Sequence, residues 1–122
     1  MSVFSKEELD YLAEGKLGRL ATISPDGAPH VVPLGWTYNA ALDTIDVSGR
    51  NFAASQKFRN VQRNPNVALV VDDVLAPFQP RCVMVRGRGE ALPEAVGVDG
   101  ASTGAMIRIT PTQVISFGLA TA

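Results

Sequence analysis

A mainly antiparallel β-barrel with two short helices is the fold class that this 122-residue sequence predicts. Three observations lead there. Six or seven strand-like segments follow one another at close spacing, bounded by Gly, Pro, Asn and Asp. Only two segments carry helical periodicity. The linkers between strand segments are too short for the crossover helices that a parallel sheet requires.

The elements follow in order. Ser5-Lys6-Glu7-Glu8 reads as a capping box, with Ser5 at N-cap and Glu8 at N3. Leu9, Leu12 and Ala13 then recur at helical spacing and Gly15 supplies a stop, so a helix is expected over residues 6–14. Residues 17–24 alternate as a strand, Pro25-Asp26-Gly27 signals a tight turn, and a second strand is expected over 30–38. Pro33 and Gly35 are out of place inside it. Two readings stand: a bulged or bent barrel strand, or Pro33-Leu34-Gly35-Trp36 as a wall against a flat ring.

A third strand is expected over 44–47, then a helix over 52–64 that halts before Pro65. Ala54, Phe58 and Val61 would form its buried stripe. The apolar run 67–71 suits a strand buried on both faces. Residues 72–80, broken by Pro77 and Pro80, read as a loop. A long strand over 81–92 follows, curved at Gly87 and Gly89. A Gly/Ala-rich loop is expected over 96–104, then two last strands, 106–109 and 114–117, separated by Thr110-Pro111.

With 46% apolar and 19% charged residues and no repeats, residues 1–122 are expected to form one globular domain. No apolar run approaches the roughly 20 residues that span a membrane. Met1-Ser2-Val3-Phe4-Ser5 leads straight into Lys6-Glu7-Glu8, unlike a secretion signal, so a cytoplasmic location is expected. Cys82 and His30 are each the single residue of their type, which leaves no Cys-based zinc site and no intrachain disulfide, and no metal is expected. There is no G-x-G-x-x-G between strand and helix. If the protein is an enzyme, a bound cofactor carries the chemistry.

The net charge is -1, yet the stretch between Asp46 and Asp72 holds no carboxylate and four cations, Arg50, Lys57, Arg59 and Arg63. Ser48-Gly49-Arg50 ends a strand and leads to a helix start carrying Ser55 and Lys57. Free N–H groups at a helix start, with cations added, suit an anion, and a phosphate-bearing ligand is expected. A nucleic-acid module would show a broader basic face and an overall positive charge, so no nucleic-acid partner is expected.

Four ordered segments resemble one family. They are 18–22 with 25–36, then Asp43-Thr44-Ile45-Asp46-Val47-Ser48-Gly49-Arg50, then Ser55-Gln56-Lys57-Phe58-Arg59-Asn60-Val61 with Asn64-Pro65-Asn66-Val67-Ala68, and finally 83–92. Together they cover most of residues 17–92 and are similar to the pyridoxamine 5′-phosphate oxidase-like flavin and deazaflavin oxidoreductases. That family has a split β-barrel fold and forms homodimers with cofactor grooves at the interface. The resemblance implies that Ser48, Gly49 and Arg50 close on the cofactor phosphate, with Ser55, Gln56 and Lys57 completing the cradle and Arg59 adding charge. It implies that Pro33, Leu34, Gly35 and Trp36 line the ring. Arg81 and Cys82 would serve the neighbouring protomer's cofactor, although Cys82 departs from the Gln-Val-Met-Val pattern of the pyridoxamine oxidases.

The Pro29–Trp36 and Asp43–Arg50 segments look most like the short subgroup that uses coenzyme F420, with FMN as the alternative. Arg81 or Arg86 would reach the acidic tail of F420. The resemblance implies hydride transfer to a small-molecule acceptor. A non-catalytic cofactor carrier is the other alternative. No side chain is assigned a catalytic role; His30 is the candidate acid or base, against a structural or rim position at the head of its strand. The basic C-terminal segment with which true pyridoxamine phosphate oxidases hold their substrate is missing from Gly118-Leu119-Ala120-Thr121-Ala122, so that substrate is not expected.

Overall fold

A computed structural model describes residues 2–96 and 102–119. The first helix, α1 (Lys6–Leu12), starts on the expected capping box. Ser5 Oγ accepts from the Glu8 N–H at 3.1 Å, and Glu8 Oε1 accepts from the Ser5 N–H at 2.8 Å. It ends two residues before Glu14, whose N–H turns back to the Tyr11 carbonyl, and Gly15 sits at φ +71°.

Seven strands make one antiparallel sheet: β1 (Gly18–Ile23), β2 (Pro29–Leu34), β3 (Thr37–Asn39), β4 (Thr44–Ser48), β5 (Asn66–Leu75), β6 (Gln79–Val96) and β7 (Ser102–Phe117). Their order is β2-β1-β5-β6-β7-β4-β3. The two edge strands are therefore consecutive in sequence, joined at Gly35-Trp36. The single strand expected over 30–38 is instead two strands that begin and end the sheet, and the irregularity at Pro33 and Gly35 is the corner between them. Pro33 lies on an edge strand, where a missing N–H breaks no ladder.

Three further expectations are corrected by long-range pairing. The loop expected at 72–80 is a hairpin: β5 runs to Leu75, β6 starts at Gln79, and Asp73 pairs with Arg81. Pro80 is tolerated because it lies beyond Cys82, the last β6 residue paired to β7. The two final strands are one, with Thr110-Pro111 absorbed at a bulge: Gly87 faces Pro111, Arg86 faces Gln113, and Thr112 is the extra residue. β5 is buried on one face only, through Val67, Leu69 and Val71, while Ala68 and Val70 are half-buried. Of the loop expected at 96–104, Val96 and residues 102–104 are strand, and residues 97–101 lie outside the described residues.

The inward faces of the strands fill the barrel with Leu20, Ile45, Val47, Leu69, Val71, Val83, Val85, Ile107 and Ile109, all 1% exposed or less. The second helix caps this core. It is not continuous over 52–64, because Ser55 adopts an extended conformation (ψ 152°) between a 3₁₀ turn (Phe52–Ala54) and α2 (Gln56–Arg63). The Ser55 hydroxyl holds both pieces, donating to the Phe52 carbonyl at 2.6 Å and accepting from the Phe58 N–H at 3.3 Å. Phe58 and Val61 point into the core as expected, but Ala54 is exposed and Asn60 is buried in its stead.

Candidate active site

Ser48 ends β4 on its outward face, and Gly49-Arg50-Asn51 turns the chain into the 3₁₀ segment, with Asn51 left-handed at φ +51°. Ser55, Gln56 and Lys57 then open α2. A Cβ on Gly49 would lie 3.6 Å from the Phe52 ring, and Lys57 Nζ lies 5.0 Å from the centre of that ring. Phe52 thus draws Gly49 and Lys57 to one place. An open recess of ≈ 520 Å³ lies beside them, lined by Gly49, Asn51, Phe52, Ala54, Pro93 and Ala105.

The polar groups here divide into engaged and free. Gln56 Nε2 donates to Asn60 Oδ1 at 2.7 Å, and Gln56 Oε1 accepts from Arg59 at 2.9 Å, so both ends of this side chain face the helix. Arg59 also donates to the Ala54 carbonyl at 3.1 Å and braces the 3₁₀ turn from outside. Arg50 is exposed and, among the described residues, has no hydrogen bond or ion pair. The Gln56 and Lys57 N–H groups have no intrahelical acceptor. Two free N–H groups, the Ser48 hydroxyl, Arg50 and Lys57, with no carboxylate from Val47 through Val71, are a donor set that fits a phosphate.

The ring-wall residues lie at the corner between β2 and β3, and β3 pairs with β4 from Thr37 opposite Asp46 to Asn39 opposite Thr44. Pro33 and Gly35 are exposed, and a Cβ on Gly35 would meet nothing. Leu34 and Trp36 pack against the core. The Trp36 indole N–H donates to the Lys16 carbonyl at 2.9 Å, and its ring lies where a Cβ on Gly18 would approach to 2.7 Å. Trp36 is thus fixed from behind by the chain entering β1. His30 lies on the inward alternation of β2, paired across the strand with Thr22, and its Nδ1 is buried without a partner among the described residues.

Arg81 and Cys82 sit elsewhere. Ser48 pairs with Met106 and Met106 with Leu92, so Cys82 is ten residues back along β6, roughly 33 Å of strand contour at about 3.3 Å per residue. One chain does not bring the two sets together. Cys82 is buried, which raises its thiol pKa. Arg81 donates to both carboxylate oxygens of Asp73 at 2.9 and 2.7 Å and to Glu14 at 3.0 and 3.1 Å, and stacks on the Tyr11 ring at 4.7 Å. Tyr11 in turn donates to Asp73 at 2.8 Å. These contacts clamp α1 to the β5–β6 hairpin, a role that needs Glu14 and Asp73 and was not readable from the local charge of Arg81.

The Arg81 hydrogen bonds first, then those of Tyr11, pull the Asp73 pKa down from 3.8 to about 2 against the opposing effect of burial. Because the folded value lies below the unfolded one, the clamp's contribution is complete above about pH 4 and lost as pH falls toward 2. Asp73→Asn should therefore lower the melting temperature at pH 6 and flatten its fall between pH 4 and 2. A melting profile parallel to the wild type across that window would remove Asp73 from the acid response.

A second recess of ≈ 330 Å³ on the outer face of β1, β5 and β6 contains Ala21, Ile23, Ala68, Arg86 and Thr112 and none of the cradle residues. Asp46 is also engaged, by bidentate hydrogen bonds from Arg108 at 3.1 Å, so it leaves the neighbouring cations unneutralised.

The fold agrees with that of known proteins. Residues 4–117 match the family model described as pyridoxamine 5′-phosphate oxidase. The chain is 39% identical over 120 residues to a Streptomyces rimosus protein named 5a,11a-dehydrotetracycline/5a,11a-dehydrooxytetracycline reductase, covering 95% of this chain and 84% of that one. A solved structure named F420 reductase superposes with a TM-score of 0.63 at 28% identity, over 83% of this chain and 90% of the other. A FAD-binding protein from Mesorhizobium loti does so with a TM-score of 0.67 at 28% identity, over 93% and 91%. A conserved hypothetical protein from Mycobacterium tuberculosis shares the fold with a TM-score of 0.75 at 22% identity, over 96% and 86%. The split barrel expected from the sequence is thus the architecture present, and the chain belongs to the pyridoxamine 5′-phosphate oxidase family of oxidoreductases.

Proposed function

We propose that this protein is a cytoplasmic, homodimeric reductase that holds coenzyme F420 in a groove completed by a second copy and reduces a small unsaturated acceptor. The observation that carries this reading is the donor set of Ser48, Arg50, Lys57 and the α2 N-terminus, in a stretch without a carboxylate from Val47 through Val71. The F420 reductase neighbour supports the deazaflavin, and the reductase name of the Streptomyces rimosus relative, whose substrates are dehydro compounds, supports an unsaturated acceptor.

When bound, the deazaflavin supplies a hydride from C5 of its central ring. The chain's own residues bind and orient. Arg50, Lys57, the Ser48 hydroxyl and the two free N–H groups hold the phosphate, and the extended Pro33-Leu34-Gly35 backbone backs the ring. Among the described residues no side chain is placed as an acid at the cradle, and water would supply the proton for the acceptor.

A second copy is supported by outward apolar residues on the same sheet. Val31 is 65% exposed, Phe117 54% and, at the hairpin tip, Phe78 79%. Residues of the Arg81–Cys82 strand end of the second copy would then reach the first copy's groove, which they cannot do within one chain. Arg81 would do so only with the guanidinium freedom that its Asp73 and Glu14 contacts leave.

A flavin is the competing cofactor, favoured by the FAD-binding neighbour. Separate absorbance titrations with F420, FMN and FAD on the purified protein decide between them, with sedimentation of the loaded protein giving its mass. Saturable F420 binding by a species of twice the chain mass, followed by oxidation of reduced F420 with an unsaturated acceptor, is the expected result. Binding of FMN or FAD alone would overturn the deazaflavin, and binding without turnover of any acceptor would favour a carrier.

A further inference from the structure

Asn60 is 1% exposed on a helix otherwise held to the core by Phe58 and Val61. A buried amide is costly unless its hydrogen bonds are met. Here they are met by two residues on opposite sides. Asn60 Nδ2 donates to Thr22 Oγ1 at 3.0 Å, near the end of β1, and Thr22 is 0% exposed. Asn60 Oδ1 accepts from Nε2 of Gln56, the first residue of α2, at 2.7 Å. The chain Thr22–Asn60–Gln56 therefore runs from β1 to the helical turn whose N–H groups face the cradle.

A leucine at position 60 would fill the core equally well by volume, yet would carry no directional contact. Phe58 and Val61 hold the helix to the core by packing. The hydrogen bond to Thr22 adds a directional restraint on its rotation and its advance along its own axis. Lys57 is one residue past Gln56, and among the described residues its Nζ is placed by the Phe52 ring at 5.0 Å. A small rotation of α2 would shift the Gln56 and Lys57 N–H groups and Lys57 Nζ relative to Arg50, which follows the end of β4 and does not move with the helix.

We infer that Asn60 is a positioning residue for phosphate recognition: the buried Thr22–Asn60–Gln56 relay aims the first turn of α2 at the cofactor phosphate. This rests on the phosphate-cradle reading above. It assigns to Asn60 a role in affinity for one part of the ligand, which a residue that only packs would not have.

The test compares two ligands, F420 and its phosphate-free deazaflavin chromophore, by equilibrium titration. The double variant Asn60→Leu with Thr22→Val removes both buried partners together, a change expected to be nearly neutral for stability. The expected result is a fall of tenfold or more in F420 affinity, with the phosphate-free chromophore within twofold of wild type and the melting temperature held. Equal retention of both affinities, or an equal fall in both, would overturn the inference. A wild type that does not discriminate between the two ligands would overturn the cradle reading and this inference with it. If the double variant does not fold, Gln56→Met reports on the relay from its exposed end. A fall of about threefold for F420 alone is then expected, and an unchanged F420 affinity would overturn the proposal.

Discussion

Gly87→Ala is expected to destabilise the protein by about 3 kcal/mol or more, lowering the melting temperature by roughly 10–15 °C. A Cβ at this position would stand 2.4 Å from the Thr110 carbonyl oxygen and 3.1 Å from the Thr110 carbonyl carbon and Ile109 Cγ2. The principal obstacle is backbone, so no rotamer change removes it. Neither strand has room to retreat. β6 is paired on its other side to Val67, and β7 is committed to the bulge that lets Pro111 and Thr112 pass Gly87, with Thr112 Oγ1 donating to the Arg86 carbonyl at 3.2 Å. Gly89, two residues on, is the comparison. Its Cβ would meet Val61, Val67 and Ile107 at 3.1 to 3.4 Å, all side-chain atoms that can shift by a few tenths of an ångström. Gly89→Ala should therefore cost about 1 kcal/mol or less, helped by the lower chain entropy of alanine in the unfolded state. Thermal unfolding of both variants checks this. A Gly87→Ala melting temperature within about 3 °C of wild type, on the same scale, would show that the bulge yields.

The same pair of strands marks where reading the sequence succeeds and where it stops. The capping box at Ser5 and Glu8 and the stop at Gly15 were legible because each acts on residues within four positions. The Pro25-Asp26-Gly27 turn was legible for the same reason, with the Gly27 N–H returning to the Ser24 carbonyl at 2.8 Å. Thr110-Pro111 looked like a break, since a proline interrupts a ladder unless its partner strand leaves room. That room comes from Gly87, and nothing near Pro111 announces it. Asp72, Asp73, Pro77 and Pro80 have loop composition, yet Asp73 and Arg81 pair across a hairpin and Tyr11 closes over them from α1. Arg81 could be read as a ligand cation only while Glu14, far away in sequence, was out of view.

The site fared differently. Ser48 through Lys57 is one contiguous stretch, so its order and its lack of carboxylates survive without knowledge of the fold. The side chains of Gln56, within it, and Arg59, just beyond it, proved to be engaged with the helix and the 3₁₀ turn, which only the three-dimensional neighbours reveal. Asn60 was missed altogether. At 3.6 residues per turn Asn60 falls off the stripe that Ala54, Phe58 and Val61 mark as buried, so nothing in the local spacing announced its burial.

Lys57→Ala is expected to weaken F420 binding by about 1–3 kcal/mol, or roughly 5- to 150-fold, as a charge-assisted phosphate contact is lost. The alternative role for Lys57 is a staple on Phe52, and the two roles separate cleanly by what changes. A surface cation–π contact is worth about 0.5–1 kcal/mol of stability, so the staple alone predicts a small fall in melting temperature and no change in affinity. Arg50→Ala sharpens the contrast. Arg50 is exposed without a protein partner among the described residues, so its loss should leave stability within about 0.5 kcal/mol while affinity falls by a similar factor. The two changes together should cost less than their sum, because both cations act on one phosphate. Wild-type affinity should also fall as salt is raised, and more steeply than that of either variant, because exposed charges are screened within about 10 Å at 0.1 M. Arg63→Ala is the control: it removes an exposed cation from the far end of the same helix, and affinity should not move. If Arg63→Ala weakens binding as much as Arg50→Ala and Lys57→Ala, the helix acts through its overall charge and no cradle exists at its start. If only Arg50→Ala and Lys57→Ala do, the phosphate sits where the β4 end, the 3₁₀ turn and the first turn of α2 converge.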